Sequence, residues 1–142
     1  MRDPELLQEF ESGTLAFELY RQHVYHVRIA YLLLQRDGFE LALQNMRRCI
    51  KVMNERNEVP EGPRSGYNET TTHALLWLIH VVMRGQGEAF PVADSAAFFD
   101  THPQLHTKHI LRLFYSPERR LDPRAKAEFL EPDLGPLPLL NA

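Results

Sequence analysis

Apolar residues recur along most of the chain at three- and four-residue intervals, the period of a helix with one buried face. His23, His26, Val27, Ala30, Leu33 and Leu34 form one such stripe and predict a helix from about Gln22 to Arg36. Arg21, Arg28 and Gln35 fall on a separate polar face of it. Phe39, Ala42, Leu43, Met46, Cys49, Ile50 and Met53 form a second stripe, which predicts a helix over 38–56 with Arg47, Arg48, Lys51 and Asn54 pointing outward. From Ala74 to Met83 only His80 interrupts an apolar run. That predicts a central, enclosed helix starting near Tyr67 and ending at Gly85 or Gly87.

Punctuation residues place the remaining boundaries. Asp3 followed by Pro4 reads as an N-cap and first helical position, and Gly13 ends the short helix they open. "NEVPEGPRSG" is a loop by composition. Shorter helices are expected over 94–100, 103–114 and 122–129, with Ser116–Pro117 and Asp122–Pro123 as further caps. Three prolines in "EPDLGPLPLLNA" preclude a regular helix, so residues 130–142 should lie extended against the rest. The prediction is an all-α, compact single-domain bundle of about five to seven helices spanning residues 1–142.

Composition narrows the class without naming a function. A chain of 142 residues, 44% hydrophobic, can bury a core of its own. A net charge of −3 gives no basic surplus for nucleic acid or an anionic membrane. The single cysteine, Cys49, excludes an internal disulfide framework and fits a reducing compartment. No apolar run reaches the roughly 20 residues of a membrane span, and "MRDPELLQEFESG" lacks a secretory apolar region. A cytoplasmic protein is expected.

The chemistry-bearing residues lie on two of the predicted helices. His23 and His26 share one face, and Glu69, His73 and His80 share another. Packed side by side, these helices could present imidazole nitrogen and carboxylate oxygen to a divalent metal such as zinc, iron, manganese or nickel. His80 stands roughly 10 Å along the axis from His73, so the four-group set is His23, His26, Glu69 and His73. Tyr67, Asn68 and Thr72 are the nearby partners for the second imidazole nitrogens. Each member also has a plain structural account: a hydrogen-bonded core histidine, or a carboxylate near the positive end of a helix dipole.

Other groups point less clearly to chemistry. Cys49 sits on an apolar stripe and reads as an inert buried thiol. Thr70 or Asn68 reads as a helix cap, and Trp77 and the phenylalanines as core. His102, His106 and His109, flanked by Thr and Lys, read as surface histidines, and "SPERRLDPR" as a solvated basic face.

"FESGTL", "HVYHVRIAYLLLQR", "YNETTTHALLWLIH" and "FYSPERRLDPRAKAEFLEPDLGPLP" together resemble a group of short, mostly uncharacterised bacterial helical proteins. They span nearly the whole chain in the same order. The group's HxxHVR pattern falls on His23, His26, Val27 and Arg28, and its Tyr-His-Glu-Thr quartet on Tyr67, Asn68, Glu69 and Thr70. The chain departs from it in two places: asparagine replaces histidine at 68, and His73 stands where an aromatic residue is usual. The resemblance implies a helical fold and a site built on His23, His26 and Glu69, but no activity.

Three functional readings follow. In the first, a metal-dependent enzyme acts on a small molecule, with His73 as fourth ligand or general base and Arg28 or Tyr67 contacting substrate. In the second, the pocket belongs to a non-catalytic small-ligand-binding or regulatory module. In the third, the chain is a structural, homo-oligomer-forming helical protein.

Overall fold

The computed structural model describes residues 1–86 and 92–140. The chain is all-α. Its helices are α1 (Asp3–Ser12), α2 (Phe17–Tyr20), α3 (His23–Asp37), α4 (Phe39–Arg56), α5 (Glu69–Gln86), α6 (Ser95–Thr101), α7 (Pro117–Arg120) and α8 (Pro123–Ala127). Two 3-10 segments, Pro103–Leu105 and Lys108–Leu113, connect α6 to α7. Among the described residues there is no strand, only one bridge between Gly62 and Ser65 in the loop before α5. The excess over five to seven helices consists of short turns. The four helices of ten or more residues carry the architecture.

α3 is the central rod, packed on α1, α4, α5 and α6. Val27 to Tyr31, Leu33 and Leu34 are all buried, so the helix is enclosed on more than the predicted stripe. α4 follows its stripe closely: Ala42, Leu43, Met46, Cys49, Ile50 and Met53 are buried and Phe39 packs at the edge. α5 lies between two cores, which explains why it is apolar nearly all round. Leu76 and Ile79 join the main core, while Ala74 and Leu78 pack with Leu111 and Tyr115 in a second, smaller one. No described helix is long and apolar enough to cross a membrane.

Several boundaries shift for local reasons. Arg2, not Asp3, caps α1, because the Asp3 carboxylate accepts instead from Ser95 N–H and Oγ and from Arg28. Gly13 ends α1 as predicted, in the left-handed conformation at φ 74°. The expected helix over 103–114 is broken at Thr107, whose extended backbone (φ −145°) and hydroxyl cap the second 3-10 segment. α8 stops at Ala127 because Thr70 captures the chain just beyond it: its hydroxyl donates to the Glu128 carbonyl and accepts from Leu130 N–H. Ser116 and Asp122 cap α7 and α8 as predicted. Gly87, one of the two ends considered for α5, lies outside the described residues.

The proline-rich tail runs extended over the smaller core. Leu134 N–H donates to Phe114 carbonyl, Trp77 Nε1 donates to Pro138 carbonyl, and Leu137 packs on the apolar cluster beneath.

Candidate functional site

The histidines at the head of α3 point inward, as their place on the apolar stripe requires, but each is used by the main chain. His23 Nε2 lies 2.8 Å from the Leu105 carbonyl and His26 Nε2 faces the Tyr20 carbonyl. A carbonyl only accepts, so in both rings this nitrogen carries the proton. His26 ties the end of α2 to α3, and His23 ties a 3-10 turn to the same helix. Although His26 retains some surface, its ring is packed at 5.0 Å from Tyr20. Burial there outweighs the hydrogen bond and pushes its pKa down to about 4. Burial also lowers His23, with Lys108 and His106 adding to the effect.

Arg28 is a buried brace. Its Nε donates to Ser95 Oγ at 2.8 Å, and Nη2 donates to the Met1 carbonyl and to Asp3, joining the N-terminus to α6. Burial raises the Asp3 carboxyl, but the bonds from Ser95 and Arg28 outweigh it and hold the group below its usual range. Its Nη1 donates to no described residue, and Arg28 lines a separate cleft with Met1, Asp3, Pro4 and Asp94, so the two residues expected to contact substrate, Arg28 and Tyr67, stand at different clefts.

Tyr67 and Glu69 come together at the start of α5. Tyr67 OH donates to Glu69 Oε1 at 2.7 Å, and Asn68 caps the helix by accepting from Thr71 N–H. Across from them on α4, Arg47 grips the carboxylate side-on with one edge of its guanidinium, Nε to Oε1 at 2.7 Å and Nη2 to Oε2 at 2.8 Å. Arg47 is the main reason Glu69 sits below the usual carboxylate range, and the Tyr67 bond adds to it. Burial and the Glu69 charge push Tyr67 up.

This triad forms part of the wall of a cleft of about 590 Å³, lined also by Lys51, Glu61 and the segment from Lys126 to Phe129. Lys126 closes one end: its ammonium donates to Glu61 Oε2 and to the carbonyls of Gly62 and Ser65. Glu61 Oε1 also accepts from Tyr67 N–H. Lys51 differs from the other two cations. Its Nζ stands 5.1 Å from the centre of the Tyr67 ring, and it pairs with no carboxylate among the described residues.

His73 lies beside the cleft. Its ring stacks on Phe129 at 3.9 Å and meets Phe39 edge-on at 5.4 Å. Burial lowers its pKa against the opposing pull of Glu69, Glu40 and Glu131.

The expected ligand set of His23, His26, Glu69 and His73 is therefore not assembled as a cluster. Tyr67, Glu69 and His73 gather at or beside one cleft, while His23, His26 and Arg28 do not line it. Among the described residues no group of three His, Cys, Asp or Glu side chains is placed to hold a metal ion. The physical reason is that each polar group found a nearer partner: two carbonyls, a guanidinium and an aromatic ring.

His102 also departs from its reading as a surface residue, being 4% exposed and packed at 4.7 Å from the Phe98 ring. His106 is exposed but stacks on Phe99 and bonds its carbonyl. Cys49 is a free, buried thiol raised by that burial.

The sequence reading missed Arg47, Lys51, Glu61, Lys126 and Phe129 as cleft residues. The one local signal was the spacing of Arg47 and Lys51, four apart and so on one face of α4. No protein-family model, curated protein or solved structure matches the chain.

Proposed function

We propose that the protein is a non-catalytic small-ligand-binding module whose cleft, between α4, the loop before α5 and the end of α8, receives an anionic group. One observation carries this reading: the α4 wall of the cleft has spare donors, while Glu69 beside them is already occupied and Glu128 is the lining carboxylate that forms no ion pair among the described residues. Glu69 accepts three hydrogen bonds and is largely occupied, while Glu61 accepts two and keeps an exposed side chain. Lys126 donates to three oxygens. Lys51 and the outer nitrogen of Arg47, by contrast, donate to no described residue, and they stand one helical turn apart. A ligand that brings acceptors completes this arrangement.

The acid–base groups of the cleft favour binding over proton transfer. A general acid or base works best with a pKa near the operating pH. Here Glu69 and Glu61 are held low by their cationic partners, while Tyr67 is held high by burial and by Glu69. The reduced Cys49 and the modest net charge suit the cytoplasm.

Calorimetric titration of the untagged protein with acetate and inorganic phosphate tests the reading. Saturable binding that weakens about tenfold in Lys51→Ala, at unchanged thermal stability, is the expected result, in line with loss of a charge-assisted hydrogen bond. Equal binding by wild type and variant, or none by either, would sink it.

A further inference from the structure

We infer that the ligand of this cleft is a small aromatic acid carrying one negative charge, with its acid group on Lys51 and Arg47 and its ring on Phe129. The inference rests on the anion-binding reading above and adds the chemical class of the ligand.

The charge follows from pairing. Arg47 is matched by Glu69 and Lys126 by Glu61, which leaves Lys51 as the unmatched cation among the described cleft residues. Glu128, exposed on the same wall, forms no ion pair either among the described residues, so the lining holds three cations and three carboxylates, and Lys51 takes at most one added negative charge. One added negative charge satisfies Lys51, and the guanidinium of Arg47 can share it through the nitrogen Glu69 does not use.

The ring follows from how Phe129 is held. Phe129 is half-buried and lines the cleft, and His73 covers it in a near-parallel stack at 3.9 Å and 24°. Phe39 backs His73 edge-on at an interplanar angle of 62°. His73, backed by Phe39, and the smaller core hold Phe129 in place, so the part of the ring that reaches the cleft is a rigid aromatic surface. Such a surface rewards a flat partner by offset stacking beyond the gain from buried area, and a puckered aliphatic ring collects only the area. The cleft volume of about 590 Å³ exceeds what a single ring and a carboxylate need, which leaves room for substituents.

The full chain, isotope-labelled, is titrated by NMR with benzoate, cyclohexanecarboxylate and acetate. The Lys51 ε-methylene protons, close to the Tyr67 ring, and the Phe129 ring protons serve as reporters. Benzoate should bind about three- to tenfold more tightly than cyclohexanecarboxylate, with acetate weakest. Phe129→Leu should abolish the preference, and Lys51→Gln should weaken both ring acids alike.

Equal affinity for the two ring acids in the wild type overturns the aromatic assignment while leaving the anion cleft intact. A benzoate preference that persists in Phe129→Leu also overturns it. Failure of all three acids to shift either reporter overturns this inference and the anion-binding reading together. The wild-type comparison decides the matter even if a variant folds poorly.

Discussion

Arg47 and Glu69 share one bidentate ion pair but not one environment. The Glu69 side chain keeps 10% of its surface and the Arg47 side chain 36%. Removing either partner therefore has unequal consequences. Arg47→Ala strands a buried carboxylate held only by Tyr67, whereas Glu69→Gln leaves a guanidinium that can turn to water. Loss of a partner from a buried charge costs more than loss from an exposed one. Arg47→Ala should destabilise the fold by about 2–3 kcal/mol and Glu69→Gln by about 1 kcal/mol. Urea melts of both variants check the order, and a reversed order would mean that solvent already supports Glu69. In Arg47→Ala the Glu69 carboxyl should also titrate at higher pH, since its largest stabilising partner is gone.

A second prediction concerns acid. His26 is held at about 4, below its ordinary 6.5, so between these values the unfolded chain binds a proton there that the native chain does not. Stability from this group is fully present above pH 6.5 and is lost as pH falls toward 4. The shift corresponds to at most about 3 kcal/mol. His26→Asn cannot titrate, so it should be less stable than wild type at pH 7 but close much of that gap by pH 4.5. Denaturation midpoints at the two pH values measure this. A gap that stays constant would show that His26 titrates alike in the folded and unfolded chain, its ring as well solvated in the fold as outside it.

How far the sequence reached depended on the range of each interaction. The buried face of α4 was legible because a helical period repeats locally, from Ala42 to Met53. α2 was not: four residues, Phe17–Tyr20, are too few to show a period. The inward direction of His23 and His26 was also legible, but not their partners. Those partners are carbonyls 82 and 6 residues away, and no side-chain pattern records where a carbonyl points. Arg47 and Lys51 do face away from the core of α4. What turned that outward face into a cleft wall is the segment Lys126–Phe129, placed there by contacts between distant parts of the chain.

Gly66 supplies a third prediction. It sits at φ 88°, and a Cβ there would lie 2.4 Å from the Glu61 carboxylate. Gly66→Ala should cost about 1–2 kcal/mol for the left-handed backbone alone. It should cost more because it displaces Glu61 from Lys126 and Tyr67 N–H. In a Glu61→Ala background the second part vanishes, so the glycine substitution should be milder there. A double-mutant cycle by thermal melting reads the difference, and strict additivity would mean that Glu61 moves aside without cost.

Thr70 gives the last prediction, through the tail. Its hydroxyl, on a residue 3% exposed, donates to Glu128 carbonyl at 2.8 Å and accepts from Leu130 N–H at 3.0 Å. Thr70→Val keeps the shape and removes both bonds, leaving a main-chain donor and acceptor unsatisfied in the interior. That costs about 1–3 kcal/mol if the tail stays in place. The tail has a cheaper alternative: it can leave the surface locally and let water satisfy those groups, without unfolding the helices. The Leu130 amide should then exchange with solvent at least about tenfold faster in Thr70→Val, while amides in the middle of α3 change much less. Thr70→Ser, which retains the hydroxyl, should keep Leu130 protected. If instead the α3 amides accelerate as much as Leu130, the tail and the helical core open as one unit, and Thr70 stabilises the whole fold rather than the attachment of its last dozen residues.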